Sequence, residues 1–336
     1  MTARNGTPRY EGARVDAIDQ FRGLAILLMS LADFLSDVSS VPPWLKHAPD
    51  IGYTVIDLIA PMFVFAMGLT YGLSFRRRMA RNGAWVAYEH AITRNLALVG
   101  LGFLLVLAGN MSGVYQGQGN WGLLQALGMA GLITLPFIRL RPGVRAAVGL
   151  LLLALYQYML DAAWLPLVLG STHNGIWGSL SWGGLLILST VLGDLYHEEF
   201  QAPPGTGPAR PLYAWTTAAV LLMGLALTVV APISKNRASA SYMLVSLGLS
   251  ALLFGLFHLL EARGHFRLPV LTAWGRNALL LYLLHGAVIG LFALPPFPAW
   301  YVNAPPWLTA LQAVLMVLIL SAAGIFLDRR GWYWRL

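Results

Sequence analysis

The sequence predicts an all-α membrane protein, a polytopic bundle of about ten transmembrane helices. Of its 336 residues, 57% are hydrophobic and only 11% are charged, whereas a soluble domain carries about 25% charged residues. Apolar runs of about 17 to 25 residues, long enough to cross a bilayer core as helix, recur along the chain. The arginines cluster in alternate connections between these runs, which is typical of multi-pass proteins.

The apolar runs follow one another with mostly short connections. No small-residue cleavage pattern follows the first run, so we expect it to remain as a span. The connection 201–211 is rich in Pro and Gly and predicts a flexible cytoplasmic linker. We predict spans near 21–38, 52–75, 91–109, 121–138, 144–161, 178–196, 212–232, 241–261, 269–293 and 307–327.

The net charge of +8 is explained by the positive-inside rule, so it does not indicate a nucleic-acid partner. If the spans alternate, one face receives little more than Lys46, Lys235 and Arg237. The opposite face, with the termini and segment 1–20, is then cytoplasmic, and both termini are predicted to be inside. Its cations are Arg4, Arg9, Arg14, Arg76, Arg77, Arg78, Arg81, Arg139, Arg141, Arg145, Arg210, Arg263, Arg267, Arg329, Arg330 and Arg335.

One histidine, His47, lies in the short loop between the first two runs, and each of these runs carries an acid. Asp33 is near the end of the first run, and Asp57 is near the start of the second. A carboxylate in hydrocarbon is costly, so two acids that flank a histidine indicate a site before they indicate packing. The plainer alternative is an interfacial histidine bonded to backbone.

Several segments carry a family resemblance: DAIDQFRGLAILLM, PPWLKHA and GYTVIDLIAPMFVFAMG near the N-terminus, then LLQALG at 123–128, PISKNRASASYMLVSLGLS at 232–250 and RNALLLYLLHGAV at 276–288. In this order they resemble the heparan-alpha-glucosaminide N-acetyltransferase family and its bacterial relatives. The resemblance implies a multi-span enzyme that passes an acetyl group from acetyl-CoA to a glycan amine or hydroxyl. It also implies one membrane-embedded acyltransferase-like domain, 1–336, in a bacterial inner membrane.

Carried over by position, the resemblance makes His47 the catalytic histidine. Asp57 and Pro61 match the motif of the second span, and Tyr282 and His285 match a late tyrosine-histidine pair.

The chain also departs from the family pattern at several positions. Asp33 replaces a usual asparagine, Asp50 a common tryptophan and Ala126 a usual arginine. The segment 173–181 lacks the acids expected before its glycine.

The chemistry of His47 leaves two roles open. Imidazole can hold the acyl group or take the proton of the acceptor. A carboxylate would orient the ring, and Asp33 and Asp57 are the candidates. Asp57 can instead pair with Thr54 at a helix start. For Asp33 the other partners considered are Lys46 and Arg276.

The donor requires phosphate contacts and a path for its acyl arm. Arg22 and Arg94 lie at cytoplasmic span ends, where they can bind CoA phosphates or simply snorkel to lipid headgroups. Gln125, Asn277 and His285 can line the acyl-CoA tunnel or form hydrogen bonds between helices. On a continuous ninth helix, Asn277 and His285 would point in similar directions.

We therefore predict a membrane acyltransferase with acetyl-CoA as donor, no metal, and the bilayer and a glycan or lipid-linked sugar as partners. A catalytically silent relative that serves as a subunit of a larger membrane complex is the alternative. A transporter would more often pair broken helices across inverted halves, which the sequence does not indicate. The histidines have no metal-ligand spacing, and the absence of cysteine excludes thiolate ligands.

Overall fold

The computed structural model describes residues 16–111, 120–201, 211–264 and 268–334. Within these ranges the chain is a bundle of helices without strands. Residues 1–15, residues 202–210 of the predicted linker, Arg267 and Arg335 lie outside the described residues. The α-helices are α1 (Asp16–Ser36), α2 (Ile59–Met111), α3 (Leu123–Thr134), α4 (Pro142–Met159), α5 (Leu165–Leu169), α6 (Gly175–Phe200), α7 (Leu212–Leu227), α8 (Ala240–Ala262), α9 (Pro269–Arg276), α10 (Ala278–Ala293) and α11 (Pro306–Arg329).

Every predicted apolar run contains a helix, which confirms the all-α membrane class. In the described part of the chain, five helices are long and apolar enough to cross a membrane, or six if α9 and α10 form one broken span. The helices α3 and α7 have 12 and 16 residues, fewer than the roughly 20 needed to cross a bilayer core. The structure thus supports a multi-pass protein, and the count of about ten stays a prediction.

Two connections differ from the prediction. Residues 76–90, expected to connect two spans, are helical on both sides of Gly83, where non-helical backbone with a φ of 85°, which suits a residue without Cβ, interrupts α2. The expected ninth helix is broken at Asn277, and α9 and α10 meet at 92°. The Asn277 amide donates to the Ala273 carbonyl at the end of α9, so its side chain competes with continued helix. Asn277 and His285 therefore do not share one helical face.

Aromatic side chains join four helices in the core. Phe254 of α8 meets Phe21 of α1, Phe65 of α2 and Tyr196 of α6, with ring centroids 5.3, 5.9 and 4.9 Å apart. The edge-to-face geometry adds about 0.5–1.5 kcal/mol per pair beyond area burial. These contacts fix α1 against α2.

A buried ionic cluster ties α2, α4 and α6 together. Asp194 on α6 accepts from Arg76 of α2 at 3.2 Å and also bonds to Arg145 of α4. Arg145 is only 1% exposed and also donates to Thr190. Removing Asp194 would leave the buried charge of Arg145 unpaired, which costs about 3–5 kcal/mol.

Two glycines let α1 and α9 pack with their backbones in contact. A Cβ on Gly23 would lie 1.9 Å from the Leu271 carbonyl oxygen, and a Cβ on Gly275 would lie 1.7 Å from the Asp19 carbonyl oxygen. Small residues at helix interfaces allow such close approach inside membranes.

We predict that Gly275→Ala destabilises the protein by about 1–3 kcal/mol or more, because the methyl group meets rigid backbone. Gly286→Ala is the matched control, since a Cβ there has nothing within 4 Å. Its thermal midpoint in detergent should equal or exceed that of the parent. Equal midpoints for the two variants would show that α1 and α9 are not packed this closely.

Candidate functional site

His47 lies in the segment 37–58, which crosses one end of the bundle between α1 and α2. A backbone bond ties this segment to the rest of the bundle, since the Ser39 amide donates to the Val302 carbonyl at 2.7 Å. Within the segment, the Lys46 ammonium donates to the Val38 carbonyl at 2.8 Å. The loop ends in a 3-10 turn, Val55–Leu58, that leads into α2. The His47 ring is thereby carried on a fixed backbone.

Asp57 orients that ring. Its side chain is fully buried, and its Oδ1 lies 2.8 Å from His47 Nδ1. The other oxygen, Oδ2, accepts from the amide and hydroxyl of Thr54 at 2.9 and 3.0 Å and from the Ala48 amide at 3.3 Å. Both sequence interpretations of Asp57 therefore describe the same side chain, because it caps the turn with Thr54 and contacts His47. Four hydrogen bonds compensate for removing the carboxylate from water.

The contact between His47 Nδ1 and Asp57 leaves the second ring nitrogen of His47, Nε2, available to a ligand. With Nδ1–H donating to Asp57, Nε2 carries the lone pair, and in the described part of the chain it has no hydrogen-bond partner. The side chain is 38% exposed at this end of the bundle. A buried carboxylate that holds one nitrogen of an accessible imidazole is the arrangement of a general base or nucleophile.

A second loop, 231–239, is packed against the His47 segment. The Gly52 amide donates to the Ile233 carbonyl at 2.9 Å, and Arg237 binds Asp50 through its Nε at 2.9 and 3.1 Å. The bond from Arg237 lowers the pKa of Asp50, and Asp50 in turn raises the pKa of Arg237. Asp50, where the family pattern has tryptophan, thus joins the two loops.

Asp33 has a different partner from those predicted. Its Oδ2 lies 3.0 Å from His285 Nε2, while Lys46 bonds to backbone and Arg276 pairs with acids near both ends of the chain. His285 Nδ1 also contacts the Tyr282 carbonyl. The sequence does not reveal this pair, because the two residues are 252 positions apart.

Arg22 and Arg94 line one large cavity at the opposite end of the bundle. The cavity has a volume of about 730 Å³ and is bordered by α1, α2, α3, α6, α9 and α10. Arg77 and Arg78 stand at the same mouth and extend into an adjoining groove with Arg81. In the described ranges, Arg94 makes no hydrogen bond or ion pair, so its charge faces the cavity. Arg22 contacts Asp19 and Thr70.

Apolar and aromatic side chains line much of the cavity, among them Met29, Phe63 and Tyr282. Asp33 follows Met29 by one helical turn, about 6 Å along α1, and Phe63 lies about 9 Å beyond Asp57 along the chain. The Tyr282 and His285 ring centroids are 5.0 Å apart. The cavity therefore extends to within one or two helical turns of Asp33, Asp57 and His285.

The polar residues expected along the tunnel are not among those that line the cavity. Gln125 is fully buried and accepts from the Gly122 amide at the start of α3, where it acts as a cap. Asn277 sits at the break between α9 and α10. His285 is bonded to Asp33. Hydrogen bonds between the side chains of Gln125 and Asn277 and the nearby backbone explain their positions. The spacing of apolar residues in the sequence does not reveal such bonds.

Two further residues near His47 were not predicted as site residues. Lys235 is half-buried in the 231–239 loop; burial lowers the pKa of its side chain, although Asp57 and Asp33 attract the charge. His173 interacts electrostatically with Lys235, Asp33 and His47, and its φ of 47° is unusual for a residue with Cβ. The segments that contain them, 232–250 and 173–181, stand out in the sequence, but nothing in the sequence indicates that they lie beside His47. No cluster of metal-binding side chains occurs in the described residues.

Comparison with known proteins bears on this site. Residues 14–202 match the family described as heparan-alpha-glucosaminide N-acetyltransferase, catalytic. Over 102 residues the chain is 32% identical to the heparan-alpha-glucosaminide N-acetyltransferase of Mus musculus. That alignment covers 30% of this chain and 15% of the mouse protein. The family match includes His47, Asp57, Asp33, Arg22, Arg94 and Gln125.

Proposed function

The chain belongs to the heparan-alpha-glucosaminide N-acetyltransferase catalytic family, and from this membership we propose that it is a membrane acyltransferase that uses cytosolic acetyl-CoA and His47. The observation that carries the proposal is the 2.8 Å contact between His47 Nδ1 and the buried Asp57 carboxylate, which leaves Nε2 as the reactive nitrogen. The acceptor proposed is a glycan or a lipid-linked sugar that reaches His47 from the outer face.

The donor is proposed to bind with its nucleotide at the arginine-lined mouth and its acyl arm directed inward. The volume of about 730 Å³ lies in the range of small-molecule and cofactor pockets, about 300–1,000 Å³. Arginine forks suit phosphate oxygens, and Arg94 has no competing bond among the described residues. The apolar interior suits the pantetheine arm better than it suits water.

The transfer step follows from these positions. The Nε2 lone pair of His47 either attacks the thioester carbonyl or removes the proton of the acceptor as the acceptor attacks. In both cases the carbon–sulfur bond breaks and the CoA thiolate leaves. In the first case the acceptor then attacks the acyl-imidazole, its bond to the acyl carbon forms as the carbon–nitrogen bond to His47 breaks, and its proton passes to the released imidazole. Asp57 stabilises the imidazolium, because its Oδ1 faces Nδ1–H. The acyl arm is proposed to reach His47 by passing Met29, Phe63 and Tyr282, which line the cavity.

We expect His47→Ala to reduce acetyl transfer at least about 100-fold, because no other group replaces the base or nucleophile. CoA affinity should be unchanged, since the nucleotide binds at the other end. Acetyl-CoA turnover with a glucosamine probe and calorimetric CoA binding measure the two effects. His258→Ala is the control, because His258 bonds to Tyr196 and does not line the cavity.

Transfer by His47→Ala at the parent rate would exclude this mechanism. A parent protein that turns over no acyl-CoA and copurifies with other membrane subunits would instead support the silent structural role.

Arg22→Ala and Arg94→Ala should each raise the dissociation constant for CoA by about tenfold, as expected for the loss of one charge-assisted contact. Binding is measured in detergent at fixed ionic strength. Arg330→Ala removes a charge at the end of α11 that stacks on Phe326, and it should leave binding unchanged. Parent affinity in both cavity variants would return Arg22 and Arg94 to a snorkelling role.

The orientation is proposed from the arginine distribution, with His47 outside and Arg94 near the cytoplasm. Because the chain has no cysteine, single cysteines at Ser39 and Gly143, both exposed, report topology directly. A membrane-impermeant maleimide should label Ser39→Cys from outside and Gly143→Cys only after the membrane is opened. Labelling of both in intact cells would contradict the orientation.

A further inference from the structure

Lysine is used sparingly in this chain. Of the 22 lysine and arginine residues, all but Lys46 and Lys235 are arginines. Both lysines lie at the His47 end of the bundle, in the segment 37–58 and in the loop 231–239. An ammonium group is a compact charge with three donors, whereas guanidinium is a planar fork suited to carboxylate and phosphate. The two lysines differ in environment, because Lys46 donates to the Val38 carbonyl.

Residues that flank Lys235 in the loop 231–239 form hydrogen bonds with the His47 segment. Before Lys235, the Ile233 carbonyl accepts from the Gly52 amide and the Ser234 hydroxyl donates to Asp50 at 3.1 Å. After Lys235, the side-chain amide of Asn236 donates to the Pro49 carbonyl at 2.5 Å. The Lys235 backbone is therefore fixed against residues 49–52, which begin two positions after His47.

Asn174 and Ala238 complete this support. The Asn174 amide donates to the carbonyls of Lys235 and Asn236 at 3.0 and 2.8 Å. Trp182 in turn donates to Asn174 at 3.2 Å. Asn174 and Ala238 have positive φ values of 68° and 48°, which cost energy and persist only where surrounding contacts enforce them. Several polar contacts therefore fix the position of the Lys235 backbone.

The ammonium group itself has no protein partner. In the described part of the chain it makes no hydrogen bond and no ion pair, although it is close enough to Asp57 and Asp33 to interact with both electrostatically. A half-buried cation that is positioned by its backbone and left unbonded at its tip is available to a ligand. Protein groups that hold one charge in this way stabilise charge that develops in a reaction.

We propose that Lys235 is a catalytic residue that binds the carbonyl oxygen of the acyl thioester and stabilises the oxyanion during transfer. This inference rests on the proposed function of His47. When the nucleophile adds to the carbonyl carbon, the π electron pair moves to oxygen, and the Lys235 ammonium donates a hydrogen bond to that oxyanion. When the carbonyl re-forms, the pair returns and the CoA thiolate leaves with the electrons of the carbon–sulfur bond.

A labelling experiment on the parent protein tests carbonyl binding without relying on turnover. Because the chain has two lysines, a short pulse of deuterated acetic anhydride followed by mass spectrometry reports each one separately. The probe is S-acetonyl-CoA, a thioether whose carbonyl cannot be transferred, and the matched ligand is S-propyl-CoA, which lacks the oxygen. We expect S-acetonyl-CoA to slow labelling of Lys235 by about tenfold while Lys46 reacts as before and S-propyl-CoA protects neither.

Kinetics provide the second readout. Lys235→Met should lower kcat by about 100-fold with little change in KM, as for loss of one oxyanion donor, and Lys235→Arg should recover part of this loss. Lys46→Met is the control and should retain the parent kcat, because Lys46 bonds to backbone.

The outcomes separate this inference from the proposed function. Parent kcat in Lys235→Met, while His47→Ala is inactive, would overturn the role of Lys235 alone. If both thioethers slowed the labelling of Lys235 equally, or if neither slowed it, carbonyl binding would be overturned. This result holds even if the parent is inactive or the variant fails to fold. If a sugar phosphate, and not S-acetonyl-CoA, slowed the labelling of Lys235, the residue would bind the acceptor and the proposal would be contradicted.

Discussion

The buried carboxylate of Asp57 is the constraint on which the His47 end of the bundle depends. An ionised carboxylate away from water is tolerated only when its oxygens are bonded, and here the donors come from three residues of one loop, His47, Ala48 and Thr54. The Asp57 carbonyl also accepts from Tyr242 of α8 at 2.8 Å. The bonds that satisfy the charge therefore also fix the loop, the imidazole ring and the first turn before α2.

The two ends of the molecule are built differently. Around His47, two loops are fastened by side-chain bonds to backbone, such as the Asn236 contact with Pro49. At the other end, arginines border an open cavity, and Arg94 has no bond within the described residues. Fixed geometry suits a reacting centre, whereas unpaired cations suit a charged ligand that arrives and leaves.

Much of the fold and part of the site could be predicted from sequence. Each predicted apolar run contains a helix, although α5 and the helical residues 76–90 lie outside the runs, and the cost of burying acids identified Asp33 and Asp57 as unusual. The pairing of Asp33 with His285 could not be predicted, because it joins helices far apart in sequence. The break at Asn277 was also missed, because α9 and α10 are both apolar and hydropathy does not register a 92° turn. The sequence did not indicate Lys235 as a site residue, because its position beside the His47 segment depends on contacts between two loops that are far apart in the chain.

The apolar side chains of Met29, Phe63 and Tyr282 in the cavity lining have a consequence under the proposed function. An open, water-filled passage from Arg94 to His47 would conduct protons and other ions and would dissipate the gradients on which a cell depends. Apolar constrictions exclude water and block ion flow while remaining passable to a nonpolar chain. In the proposed reaction these side chains would admit the acyl arm and keep the two aqueous compartments electrically insulated from each other.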